Sequence, residues 1–129
     1  MSLAPEKLRI LLVDDEPFVL RALSRLLREH DVHIANGYDQ AVPVIRTEQL
    51  DLIVSDGTMP GLGGVDVLKA AAAFCPNAVR VMLTGTPPPE GQALVAEGVI
   101  HRLMLKPWTA DIGEELVAMA RRGPPKASA

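Results

Sequence analysis

Four places in this chain carry side chains that could act on a cation or a phosphoryl group. Asp14-Asp15-Glu16 is a run of three acids, Asp56 precedes a glycine, Thr84 offers a hydroxyl and Lys106 an ammonium. Carboxylates held close together repel one another and shift their pKa values unless a cation compensates. A hard divalent ion does so, and Mg²⁺ typically combines one or two carboxylates with waters and a phosphoryl oxygen. A carboxylate can also act as a nucleophile toward phosphorus. Phosphoryl transfer is mainly positioning and charge stabilisation, which an ammonium can supply. Each piece has a plainer reading as well. The acidic pair could serve a helix dipole, Asp56-Gly57 could be an ordinary turn, and Thr84 could simply end a strand. Lys106 resists such a reading, because it follows five apolar or mixed residues and lysine is rarely buried without a partner.

The elements around these residues decide whether they meet. Apolar, β-branched-rich runs over 8–13, 51–54, 78–83 and 100–105 each end next to one of the four. Runs of this kind suit strands of a parallel sheet covered on both faces. A shorter alternating run, Val32-His33-Ile34-Ala35, reads as an edge strand. Helical patterns lie between. Val19, Leu23, Leu26 and Leu27 recur from Pro17 to His30, with Arg21, Arg25 and Arg28 on the opposite, solvated side. Pro17 suits a first helical position. Val65, Leu68, Ala72 and Cys75 form a second stripe, stopped by Pro76-Asn77. Ile112, Leu116, Met119 and Ala120 form a third, with Thr109 as its expected N-cap and Gly123-Pro124-Pro125 as its end. Weaker patterns cover 38–48, interrupted by Pro43, and 89–97, diluted by Gly91.

The order is (βα) five times, an α/β fold whose parallel sheet carries helices on both faces. In a doubly wound sheet, ligands bind beyond the carboxyl ends of the strands. The four chemically competent places are the residues found there, so the fold predicts their convergence.

Composition narrows the function classes. The chain has 129 residues, 48 % hydrophobic and 22 % charged, as expected for one folded domain. Its four aromatics are Phe18, Tyr38, Phe74 and Trp108, so the core must be aliphatic. The net charge is −3 and Lys and Arg form no dense block, which argues against direct nucleic-acid binding by this domain. No apolar run reaches the roughly 20 residues of a membrane helix, and no secretory signal pattern appears. Cys75 stands alone, which fits a reducing cytoplasm. His30, His33 and His101 lack metal-ligand spacing and are expected at the surface, while Met82 and Met104 are expected in the core. Residues 1–6 read as a disordered or cloning-derived start, 7–122 as the domain, and 123–129 as a linker or frayed tail.

Val13-Asp14-Asp15-Glu16, Asp56-Gly57-Thr58-Met59-Pro60-Gly61, Leu83-Thr84-Gly85 and Lys106-Pro107-Trp108 together resemble the signatures of response-regulator receiver domains. The resemblance runs from about Lys7 to Arg122. It implies a flavodoxin-like sheet in the order 2-1-3-4-5 and a two-component phosphorelay role in the cytoplasm. The implied phosphoacceptor is Asp56, with Thr84 and Lys106 assisting. The implied cofactor is Mg²⁺, bound by Asp15, Asp56 and the Thr58 backbone carbonyl, with Asp14 acting through water. The implied partners are a sensor histidine kinase or histidine phosphotransfer protein and an output module, fused or separate. Such a domain is a signalling switch that catalyses only its own phosphorylation and dephosphorylation. A cis Lys106-Pro107 bond is implied too.

The chain also departs from the family pattern. Leu103 stands where receivers usually carry Tyr or Phe, and Pro87-Pro88-Pro89 fills the loop after Thr84. Ile-His-Arg before the last strand and Trp after Lys-Pro resemble receivers joined to cyclic-dinucleotide phosphodiesterase or hybrid-kinase modules. Three rival readings are weaker. In a haloacid dehalogenase-type hydrolase the nucleophile would fall at Val54, which cannot attack. A dinucleotide-binding loop would need a third glycine where Asp66 stands. A degenerate receiver, acting as a phosphorylation-independent scaffold, would not need the acidic trio and Lys106.

Overall fold

The structure is a computed structural model and describes residues 6–125, so the expectations for 1–5 and 126–129 lie outside the described residues. Strands and helices alternate. They are β1 (Arg9–Val13), α1 (Pro17–Leu26), β2 (Asp31–Ala35), α2 (Tyr38–Thr47), β3 (Leu52–Ser55), α3 (Gly64–Phe74), β4 (Val79–Thr84), α4 (Gly91–Ala96), β5 (Arg102–Leu105) and α5 (Ile112–Arg122). All strand pairs are parallel, and the sheet order is β2-β1-β3-β4-β5. This is the expected doubly wound flavodoxin-like topology.

Alternation along the central strands divides the core in two. Ile10, Leu12, Val54, Val81 and Leu83 face α1 and α5, where Leu23, Ile112 and Leu116 meet them. Leu11, Val13, Ile53 and Met82 face the other way, toward Ala41 and Ile45 of α2 and Val67, Leu68 and Ala71 of α3. Burial on both faces explains why these strands are almost wholly apolar.

The helices depart from the sequence reading in detail. The first stops at Leu26 rather than at His30; Leu26 is exposed, while Leu20 and Leu27 are buried. The α3 stripe is turned from the expected one, with Val67 and Ala71 buried and Val65 and Ala72 only partly so. Pro43 does not end α2. It sits at an exposed position, and the carbonyl it cannot bond belongs to the exposed residue Asp39. Thr109 is not the cap of α5: Asp111 is, and Thr109 supplies a carbonyl to the Ile112 N–H and a hydroxyl to the Asp111 carboxylate. Gly123 does close α5, at φ +75°. The Lys106-Pro107 bond is cis, as the resemblance implied.

Two of the three histidines are structural rather than surface residues. The His30 Nδ1 accepts the Leu8 N–H at 3.0 Å, and the His101 Nδ1 accepts the Arg80 N–H at 2.9 Å. Arg80 itself is only 5 % exposed and has no acidic partner among the described residues. Its guanidinium donates to the carbonyls of Cys75, Pro76 and Ala78 before β4, and of Gly98 and Val99 before β5. Burial, against a smaller opposing effect of Cys75, lowers its pKa from the ordinary arginine value. One buried side chain thus satisfies the carbonyls of two loops.

Helix α3 begins in contact with the end of β3. A Cβ built on Gly64 would lie 1.8 Å from the Asp56 carbonyl oxygen and 2.8 Å from the Gly57 Cα. Only glycine allows the helix to start there, and the obstacle is backbone, which cannot swing aside. We expect Gly64→Ala to cost about 2–4 kcal/mol in urea unfolding. Gly37→Ala, where a Cβ meets nothing within 4 Å, should change stability by about 0.5 kcal/mol or less. Equal effects of the two changes would refute the close-approach argument.

Candidate functional site

The parallel register brings the carboxyl ends of the strands level. Val13 pairs with Ser55, Ser55 with Met82, and Thr84 with Leu105, so the residues that follow emerge side by side. The backbone secures this alignment. The Asp14 N–H donates to Ala35 O at 3.1 Å, the Asp56 N–H to Val13 O at 2.9 Å, and the Lys106 N–H to Thr84 O at 3.0 Å.

Asp14, Asp15 and Asp56 each offer a carboxylate oxygen, and these oxygens lie within 4.8 Å of one another. Asp14 and Asp56 are 3 % and 7 % exposed, whereas Asp15 is open to solvent. The Lys106 Nζ donates to Asp14 Oδ2 at 2.7 Å and stands 3.6 Å from Asp56 Oδ2. Asp14 Oδ1 also accepts the Glu16 N–H at 2.9 Å, which fixes the carboxylate at the entrance to α1. Asp56 Oδ1 accepts the Thr58 N–H at 3.3 Å, so the loop after β3 folds back over the carboxylate.

Electrostatics follow from this packing. Burial raises the Asp14 pKa and the Asp56 charge adds to it, against the Lys106 hydrogen bond and the Glu16 N–H, which pull it down. Burial alone would lower the Lys106 pKa. The Asp14 hydrogen bond and the charges of Asp14, Asp56 and Glu16 outweigh burial and hold the ammonium above its ordinary value. Lys106 therefore stays charged, and a further cation would relieve the remaining negative charge. Three carboxylates with oxygen donors this close form the ligand chemistry that a hard divalent ion prefers.

Thr84 is 1 % exposed, and its hydroxyl accepts the Thr86 N–H at 3.2 Å. It belongs to the same cluster through Gly57: a Cβ on that glycine would meet the Thr84 Cβ at 3.4 Å and the Met82 Sδ at 2.8 Å. A shallow cleft of about 460 Å³ opens beside Asp15, lined by Asn36, Tyr38, Asp39, Pro60 and Leu62. The structure thus brings together Asp14, Asp15, Asp56, Thr84 and Lys106, and places Thr58 in the loop beside them. Sequence reasoning missed Gly64, whose only signal was the Gly63-Gly64 pair after a motif loop.

The chain as a whole has counterparts among known proteins. The response regulator receiver domain model matches residues 10–120. The hydrogenase transcriptional regulatory protein HoxA of Cupriavidus necator is 36 % identical over 104 residues, covering 79 % of this chain and 22 % of HoxA. The chain therefore spans about a fifth of the length of that relative. The chemotaxis protein CheY of Pseudomonas aeruginosa is 27 % identical over 115 residues, covering 85 % of this chain and 93 % of CheY. The signal receiver domain of an HD domain-containing protein from Pseudomonas fluorescens Pf-5 superimposes with a TM-score of 0.76 at 31 % identity, covering 91 % of this chain and 93 % of that one. With the sheet order, the acidic cluster and its lysine already in place, the family match over nearly the whole domain is decisive: the chain belongs to the response regulator receiver domains of two-component signalling.

Proposed function

We propose that this domain accepts a phosphoryl group on Asp56 from the phosphohistidine of a sensor histidine kinase or a histidine phosphotransfer protein. An Asp56 carboxylate oxygen attacks phosphorus as the P–N bond breaks, and the donor imidazole leaves with the bond pair. The observation that carries this reading is the Lys106 ammonium, 2.7 Å from Asp14 and 3.6 Å from Asp56. A cation so placed offsets the charge of the incoming phosphoryl group, and the Thr84 hydroxyl is the nearby donor for one of its oxygens. Asp15 and Asp56, with the Thr58 backbone carbonyl and with Asp14 through water, would hold Mg²⁺. When bound, that ion supplies divalent charge beside the phosphoryl oxygens. The acidic trio and lysine leave no motive for the scaffold-only alternative.

The domain acts as a cytoplasmic switch and passes its state to an output module, fused or separate. HoxA and the HD domain-containing protein carry receivers within longer chains, and this chain fits that arrangement. Incubation with acetyl phosphate and Mg²⁺, resolved on a phosphate-affinity gel, should shift the wild type and leave Asp56→Asn unshifted. Asp15→Ala should weaken Mg²⁺ binding by about tenfold or more, followed through the half-buried Trp108. A shift that survives Asp56→Asn would remove the assignment.

The readout requires a route other than an aromatic rotamer. Leu103 has no ring to swing, and its Cδ2 lies 3.2 Å from where a Cβ on Gly91 would sit, at the start of α4. That helix has six residues, follows three prolines and ends before Gly98 at φ +78°, so its intrinsic propensity is low. We expect phosphorylation to change the order or packing of α4. Hydrogen exchange with and without a beryllofluoride mimic should alter protection within residues 86–98; changes confined to other segments would refute this route.

A further inference from the structure

The two edge strands of the sheet are attached in the same unusual way. At one edge, the Asp31 N–H donates to Leu8 O at 2.9 Å, and the Leu8 N–H returns to the His30 Nδ1 at 3.0 Å. At the other edge, the His101 N–H donates to Arg80 O at 2.7 Å, and the Arg80 N–H returns to the His101 Nδ1 at 2.9 Å. In each case the ring nitrogen of the residue just before the edge strand completes the first rung of the ladder. Backbone N–H groups can only donate, so both Nδ1 atoms must hold a lone pair.

We propose that His101 is a neutral-imidazole latch, and that acidification releases the amino-terminal end of β5. Protonation turns its Nδ1 into a donor facing another donor, and the rung is lost. The Arg80 guanidinium also stands 3.3 Å from the His101 Nε2. Arg102 of β5 and Arg122 of α5 share a small cavity of about 170 Å³ with the ring, and no acid lines it among the described residues. The Arg80 charge beside the ring opposes the imidazolium. Arg80 links the latch to the loops before β4 and β5, because the same residue that donates its N–H to His101 holds both loops through its guanidinium.

The pH direction follows. Burial, with the Arg80 charge behind it, lowers the His101 pKa from the ordinary histidine value. As pH falls, the unfolded chain takes up this proton first. The stability contributed by His101 is therefore complete above about pH 6.5 and is lost as pH drops below that toward the folded value.

The latch is independent of the phosphotransfer reading, since it lies at the strand end remote from Asp56. Native-state hydrogen exchange of the whole chain tests it. Between about pH 7.5 and about pH 5, protection of the Arg80 amide, normalised for intrinsic exchange, should fall by about tenfold. Amides of Leu12 and Val54 should change less. In the His101→Asn variant, Oδ1 replaces Nδ1 without titrating, and protection at Arg80 should stay level. Level protection in the wild type, or an equal fall in both proteins, would overturn the proposal. If the variant does not fold, ¹⁵N shifts of the wild-type His101 imidazole decide: an unprotonated Nδ1 at neutral pH supports the latch, and a protonated one refutes it.

Discussion

Three carboxylates within 4.8 Å of one another repel, and the Lys106 ammonium is the positive charge that the fold itself supplies against them. Much else about this domain follows from that requirement. Lys106 lies 92 positions from Asp14 in the chain, so the contact exists only if the first and last strands end level across the sheet. The parallel topology provides that alignment, with β3 and β4 bringing Asp56 and Thr84 between them. Charges so close to an apolar core are costly to bury, and one lysine does not neutralise three acids. The residual imbalance makes the cluster receptive to a divalent cation and responsive to a group that changes its charge.

The rest of the sheet supplies the rigidity this cluster needs. Leu11, Leu12, Ile53, Val54 and Met82 are all but inaccessible, and they lock three central strands between two helical layers. Such close packing transmits displacement instead of absorbing it. Gly57 and Gly64 extend the constraint into the loop after Asp56, where contacts with Met82, Thr84 and the Asp56 carbonyl leave no room for a side chain. By contrast α4 is short and led by prolines, and only Gly91 and Leu94 of its six residues are buried.

The central strands and the meeting of Asp14, Asp56 and Lys106 at their ends were legible in the sequence because burial on both faces writes itself as an uninterrupted apolar run. The polar residue that breaks each run then marks the strand end. Helix α5 was equally plain, since Ile112, Leu116, Met119 and Ala120 keep helical spacing and all four are buried. Its cap was not: Thr109 and Asp111 are both good capping residues, and spacing alone does not choose between them. The α3 stripe was misjudged because Val65, Val67, Ala71 and Ala72 offer apolar side chains on adjoining faces, so composition there does not fix the rotation. Arg80, His30 and His101 were illegible for a different reason. Their partners lie in other loops and strands, 21 and 22 positions away for the two histidines, and no local pattern records such contacts.

The residues that were hardest to read share one physical task. A parallel sheet leaves the amino-terminal ends of its strands with donors and acceptors that loops must satisfy, since each buried group without a partner costs about 1–3 kcal/mol. At the carboxyl ends, main-chain bonds from Asp14, Asp56 and Lys106 meet that need, which frees their side chains for chemistry. At the opposite ends, main-chain bonds such as those from Asp31 to Leu8 and from His101 to Arg80 are joined by side chains: Arg80 serves five carbonyls, and two imidazoles serve two N–H groups. Strand polarity thus divides the molecule. One rim carries the reactive side chains; at the other, Arg80 and the two imidazoles are engaged in closing the sheet.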